Sequence, residues 1–494
     1  MRKQTKLVAV LSATALLAIG ASMTSFAVTG WVNENGTFYY YDSDGDMVTN
    51  EWKKDGNSYF YLGDDGAMVT SSWVEDDYYV GPNGAMVTNA WVKTLADDSD
   101  DTDPEDDGEG WYYFNNKGKK VTGDEKKING KYYRFDDDGK MVDGWYEDGE
   151  DVYYYGDEDD GARKTGWLYL EADTDDDGVD VDIDDDDNYD TEAWYYFDSK
   201  GVRVEGNKKK INGKWYAFND HGQMQYGWVI KDGWSKDNGQ ATSSDASIDD
   251  LWYMFGEDNG ARVNGFIKID GSEYLGQDSN NNWYYFDDGE AEHATASDSV
   301  AIPLQGSTDS TFTRRIAKIK LEGKYFAFDQ NGKMKTGIQA IRDDNADGGY
   351  EVYYFDSDGY MKTGKINSVE EDDDDTYTYY FNTNNGGQGK GWTGEKDGYL
   401  YYKGKRQEAD DDYVIVSVKG NNYLVNEKGK IQKSSTKYYT DIENEGFAGT
   451  YVRVNSNGIV TGVYDDDKNS IVTSGTSVED YLGTVETQIP YFEP

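Results

Sequence analysis

The sequence predicts an all-β chain, a solenoid of tandem β-hairpins, and three observations carry that prediction. One unit recurs over most of the 494 residues: Gly-Trp, a polar turn, a strand of consecutive aromatics, a second glycine-bearing turn, and Met. The bulky residues are rings, 44 Tyr, 14 Trp and 17 Phe, so aromatic slabs between repeats are expected rather than one large aliphatic core. A two-stranded hairpin is marginal alone in water, so each unit must bury its rings on its neighbours.

The first unit, residues 30–52, shows the logic. Asn35-Gly36 lies between two runs rich in aromatic and β-branched residues and supplies the positive φ values of a two-residue hairpin turn. That closes Trp31-Val32 onto Phe38–Tyr41, whose side chains alternate faces. Asp42 to Gly45 then offers an Asx-type turn, and Met47-Val48-Thr49 leads to the next Trp.

Units one to three run in tandem, marked by Trp31, Trp52 and Trp73. The unit opened by Trp91 has an acidic insertion between its strands, placed at a hairpin tip where it disturbs the stack least. From residue 121 a longer period appears: residues 121–141 match residues 204–224 at 13 of 21 positions. A third Lys-rich copy follows at residues 321–334. Beyond about Gly364 the units decay and lose Trp, as capping repeats do. The expected organisation is a signal peptide over 1–27, tandem short repeats over 28–92, repeats with acidic insertions over 93–406, and degenerate repeats with a cap or tail over 407–494.

Net charge is −49, which argues against nucleic acid and anionic lipid as partners and favours cations. With no Cys, stability must come from packing or bound ions. Arg2, Lys3 and Lys6 precede an apolar run, and Ser25-Phe26-Ala27 suits cleavage after Ala27, so secretion is expected.

The repeated pattern resembles the cell-wall-binding repeats of Gram-positive surface proteins: the choline-binding modules and the related glucan-binding and toxin repeats. The resemblance spans roughly residues 30–462. It implies a hairpin solenoid in which a quaternary ammonium sits between aromatic residues of adjacent hairpins, with a Met closing the pocket. Carried onto this sequence, a first pocket is expected from Trp31, Phe38 and Trp52 with Met47. A second would use Trp52, Tyr59 and Trp73 with Met68, and a third Trp73 and Trp91 with Met86. Trp145 and Trp167 would frame a fourth. The Lys-rich units lack the first Trp, and a cage missing a wall is not expected to bind. On this reading Trp52→Ala weakens two neighbouring pockets together.

Two acidic segments have the spacing of a calcium loop: Asp173, Asp175, Asp177 and Asp184, with a shorter echo at Asp343, Asn345, Asp347 and Gly348. Calcium is therefore a candidate ion. No catalytic domain is expected. His221 takes a turn position, His293 lies in an insert, and no glycine-rich phosphate loop opens a helix.

The function expected is non-covalent attachment, outside the cell, to an envelope polymer such as choline-bearing teichoic acid. Alternatives are stacking of an α-glucan or other polysaccharide on Trp and Tyr, and a calcium-stabilised structural or adhesive surface protein.

Overall fold

The computed structural model describes residues 29–95, 109–172, 192–206, 208–219, 221–231, 247–255, 259–277, 280–304, 310–371, 375–472 and 477–492. The segment expected to be a signal peptide and the Asp173–Asp184 loop lie outside the described residues. The fold is all-β, built of hairpin after hairpin, as the sequence predicts. The chain forms two compact units: Met1–Lys209 with Phe218–Met224, and Lys210–Ala217 with Gln225–Pro494.

In the first unit, the founding hairpin pairs Gly30–Glu34 with Thr37–Tyr41, Trp31 opposite Tyr40. Asn35 and Gly36 take φ values of 57° and 98°, the left-handed pair the tight turn needs. In the turn that follows, Asp42 Oδ1 accepts from the backbone N–H groups of Asp44 and Asp46, both at 2.9 Å. Those bonds, the one from Asp46 most of all, hold the Asp42 carboxyl below its ordinary range. The same side-chain device recurs at Asn115, Asp136 and Asp198, so part of the acidic excess makes turns.

Further hairpins follow at Glu51–Asp55 with Ser58–Leu62, Ser72–Val74 with Tyr78–Val80, and Ala90–Thr94 with Gly110–Phe114. Three more pair Glu125–Ile128 with Lys131–Arg134, Trp145–Asp148 with Asp151–Tyr154, and Gly166–Glu171 with Glu192–Phe197. Thr94 pairs Gly110 and Glu171 pairs Glu192, which closes both hairpins beneath their acidic insertions.

A backbone stitch joins each hairpin to the one before. The residue at the Met position after one second strand donates its N–H to a carbonyl of the preceding second strand: Met68 to Phe38, Met86 to Tyr59, Lys120 to Asp77, Met141 to Trp111, Arg163 to Tyr132 and Arg203 to Val152, at 2.7–2.8 Å. Its side chain lies across the next hairpin's turn glycine. Gly84, at φ +73°, has the Met68 thioether where a Cβ would stand, 2.6 Å from its terminal carbon. A side chain at that glycine is excluded by both the backbone conformation and the close approach.

The second unit begins in the same style, with Gly227–Ile230 paired to Leu251–Met254 and Gly265–Ile269 to Asn282–Asp287. It then departs from simple hairpins. Ser299–Pro303, Thr311–Leu321, Lys324–Asp329 and Met334–Lys335 form a four-stranded sheet, and residues between Gly364 and Arg406 a five-stranded one. Aliphatic residues are more prominent here than expected: Val300, Ile302, Ile338 and Val352 pack with Tyr379 and Phe381, and Ile415, Leu424, Val452 and Val463 form another cluster. Wider sheets present broader faces, which branched aliphatics cover well.

Residues 488–492 are docked. Gln488 exchanges hydrogen bonds with Gln407, and Phe492 is buried with Val300 and Tyr350. Glu371, with no exposed side-chain surface, pairs with Lys405 at 2.9 Å and accepts from the Tyr491 N–H at 3.0 Å.

Candidate functional site: aromatic clefts between hairpins

The stitch determines which rings meet. The first-strand indole of each hairpin turns toward the second strand of the next, where a ring waits three residues before the next Met-bearing turn opens. Trp31 meets Phe60 at 5.4 Å between centroids, Trp52 meets Tyr78 at 5.5 Å, Trp73 meets Tyr112 at 4.9 Å and Trp91 meets Tyr133 at 4.9 Å. All four are edge-to-face, the geometry that ring quadrupoles favour.

Of the groupings expected from sequence, Trp52 and Tyr59 do line one cleft, while the other members are placed differently. The wall facing a Gly-Trp indole is a second-strand ring of the following hairpin, and the Met belongs one unit further along. Met47 bridges to Tyr41 of its own hairpin, lies on Gly66 and is 43% exposed. Met68 is stitched to Phe38, so it falls beside the first cleft and not the second. Met86 is stitched to Tyr59, which brings it to the cleft of Trp52. Trp145 and Trp167 each face a ring of a following hairpin. Trp145 faces Tyr195 at 4.9 Å, and Trp167 stacks on Phe218 at 5.7 Å.

The second cleft, about 800 Å³, is lined by Trp52, Tyr59, Tyr78, Met86 and Glu75. Three rings and a thioether surround a space with one carboxylate at its side, and Trp52 Nε1 donates to Glu75 Oε2 at 3.3 Å. The rings offer π-faces to a cation that has no hydrogen to donate, and Glu75 supplies opposite charge. Trp91 and Trp111 pack with Tyr133 and Met141 in the same arrangement. Trp111 Nε1 donates to Asp159 at 3.2 Å, so a carboxylate again stands beside the rings.

Tyr78, Glu75, Trp111, Tyr133 and Met141 were not among the residues expected from sequence. A signal existed: Trp111 opens the run Trp-Tyr-Tyr-Phe at the strand position that Tyr59 holds in Tyr-Phe-Tyr-Leu. The same position carries Phe38 and Tyr59, both expected in pockets, so Trp111 could have been found by that register.

The shorter acidic segment contacts lysines and a tyrosine distant in sequence. The Lys390 ammonium pairs with Asp343 and holds its carboxyl below the usual range, while Lys403 Nζ donates to the Asp347 carbonyl and Tyr402 OH donates to Asp347 Oδ2 at 2.8 Å. Among the described residues, no group of three or more His, Asp or Glu side chains could hold a metal ion.

Comparison with known proteins finds the repeat along the chain. Models of the choline-binding repeat match residues 28–73 and 67–95. A model of a cell wall binding repeat matches residues 105–120, 126–141, 188–202 and 277–291. Glucosyltransferase-S of Streptococcus mutans is 29% identical over 272 residues, which are 51% of this chain and 14% of that protein. Glucosyltransferase-S of Streptococcus downei is 29% identical over 194 residues, 33% of this chain and 14% of that protein. The chain thus spans about one seventh of the length of these curated relatives.

Several of the solved structures that resemble it come from Streptococcus pneumoniae. The choline-binding domain of CbpL is 23% identical, covering 48% of this chain and 98% of that one at a TM-score of 0.29. Choline binding protein F is 19% identical, covering 82% and 99% at a TM-score of 0.24. The modular autolysin LytC is 18% identical, covering 63% and 54% at a TM-score of 0.35.

Proposed function

Because this chain belongs to the cell-wall-binding repeat proteins of the choline-binding class, we propose that it holds quaternary ammonium groups of an envelope polymer, choline on teichoic acid foremost, in the clefts between its hairpins. The observation that carries this reading is the second cleft, where Trp52, Tyr59 and Tyr78 surround a space closed by Met86 and flanked by Glu75. Three ring contacts at about 0.5–2 kcal/mol each amount to roughly 4 kcal/mol, a dissociation constant of about 1 mM. Several such clefts on one chain add avidity when the polymer presents repeated groups. The protein's role is attachment at the Gram-positive cell surface after secretion, without catalysis of its own.

Calorimetric titration of the full chain with choline tests this. Saturable binding near millimolar, lost from one site in Trp52→Ala, is expected. Absence of heat up to about 50 mM, well above the affinity that three rings provide, would overturn it.

A second reading, stacking of a glucan, is favoured by the exposed Trp283, 42% accessible on its strand, and by the likeness to the streptococcal glucosyltransferases. Retardation on dextran, abolished by Trp283→Ala and indifferent to choline, would support it instead.

A further inference from the structure

The position that carries Met in the open clefts carries a cation elsewhere. Met68, Met86 and Met141 share the same stitch with Lys120, Arg163 and Arg203, and in the second unit Arg262 donates its N–H to the Trp215 carbonyl at 3.0 Å in the same way. Arg262 also lies across the next turn glycine, Gly289, as Met68 lies across Gly84. Met, Lys and Arg share an unbranched stem, so any of them can span that turn. What differs is the tip.

Each charged tip meets the rings. Lys120 Nζ is 5.3 Å from the Trp73 ring centre, and the Arg203 guanidinium is 5.7 Å from Trp145. The Arg262 guanidinium is 3.6 Å from Trp252 and 5.6 Å from Trp215. Its side chain is 5% exposed, and its nearest carboxylate oxygen, on Asp288, is 3.8 Å away. Its Nε and Nη2 are buried without a hydrogen-bond partner. A guanidinium that forgoes hydrogen bonds and faces two indoles stands where a quaternary ammonium would, held by the same cation–π attraction.

The Lys-rich units extend the pattern. Glu125 takes the register position of the Gly-Trp tryptophan, pairing with Arg134 as Trp52 pairs with Tyr61. There the plug is Arg163, 2.5 Å from Glu125 Oε1 and 4.4 Å from the Tyr132 ring centre. The missing aromatic wall is replaced by a carboxylate matched to the internal guanidinium.

We propose that Lys120, Arg163, Arg203 and Arg262 are built-in plugs: the chain occupies these aromatic cages with its own cations, and external quaternary ammonium enters only cages whose stitch residue is Met. This rests on the reading that the Met cages take such a ligand. A tethered cation outcompetes a millimolar ligand because its effective concentration is itself in the millimolar range or above, and its charge repels a second cation. The plugs therefore set the spacing of occupied sites along the chain, and hence the spacing of headgroups the polymer must present.

The test is titration of the full chain with tetramethylammonium, following tryptophan indole N–H signals by NMR. In the wild type the Trp52 signal should move to saturation while Trp215 and Trp252 stay fixed. In Arg262→Met the Trp252 signal should titrate, more weakly than Trp52 because this hairpin lacks the first-strand Trp and offers two indoles. Arg203→Met should do the same for Trp145. The proposal is overturned if Trp252 moves with Trp52 in the wild type, or if neither variant, with dispersed native spectra, gains a titrating indole. Should Trp52 stay silent while Trp252 titrates in Arg262→Met, the plug stands and the reading of the second cleft as a ligand site fails.

Discussion

Glu75 accepts a hydrogen bond from Trp52 Nε1 at 3.3 Å, which places a carboxylate on the edge of the cleft formed with Tyr59, Tyr78 and Met86. A cation in that cleft gains about 1 kcal/mol from a charge a few ångströms away at the surface. Glu75→Gln should therefore weaken choline binding at this site about fivefold and reduce its salt dependence, with little change in melting temperature. Titrations at about 20 mM and 500 mM salt, on either side of a Debye length near 10 Å, make the comparison. Equal affinity and salt response in both proteins would count against a cation in the cleft.

Trp52→Ala is expected to remove one site, not two. Trp31 has its own ring partner in Phe60 and the Trp73 cage has Tyr112, so neither neighbour uses Trp52 as a wall. Choline stoichiometry should fall by one while the Trp31 signal keeps its response. Simultaneous loss at Trp31 would restore the grouping in which successive tryptophans share a pocket.

Lys318 stands at the register position of the Gly-Trp tryptophan, opposite Ala327, with its ammonium 3.9 Å from the Tyr353 ring centre and 5.2 Å from that of Tyr325. Burial, aided by Lys390 and opposed by Asp343 and Glu351, pulls its pKa from 10.5 down to about 8. Between those values the unfolded chain holds a proton that the native chain has released, so the Lys318 contribution to stability rises with pH across that window. The difference in unfolding free energy between wild type and Lys318→Met should grow in favour of wild type from pH 7.5 to pH 10, a range chosen to bracket the folded value. A flat difference would mean that the ammonium is not desolvated.

Glu371 and Lys405 form a buried pair, with side-chain exposures of 0% and 6%. Glu371→Gln leaves the ammonium uncompensated and should cost about 3 kcal/mol. Glu371→Leu should in addition release Tyr491, whose N–H donates to Glu371. Denaturant unfolding and amide exchange at Tyr491 read the two effects. The double variant Glu371→Leu with Lys405→Met should recover much of the loss, because two apolar groups carry no desolvation penalty.

The hairpins themselves were legible because their causes are local. Asn35-Gly36 specifies a tight turn wherever it occurs, and its φ values are those the turn requires. The placement of acidic insertions at hairpin tips was legible for the same reason, and Thr94 pairs Gly110 as that placement demands. The broader sheets and aliphatic clusters of the second unit were not, since Val300 and Val352 meet only through strands far apart in sequence.

By itself the sequence determined the repeat unit, its turns and the kind of ring-lined surface the chain would build, because strand alternation and turn chemistry act over a few residues. Tertiary structure decided which rings face one another. The bond from Met86 N–H to the Tyr59 carbonyl sets the offset between neighbouring hairpins, and that offset brings Tyr78 to Trp52 and Arg262 to Trp252. Such an offset is a hydrogen-bond register between backbones, which any side chain at the stitch satisfies equally. No spacing of residue types could announce it.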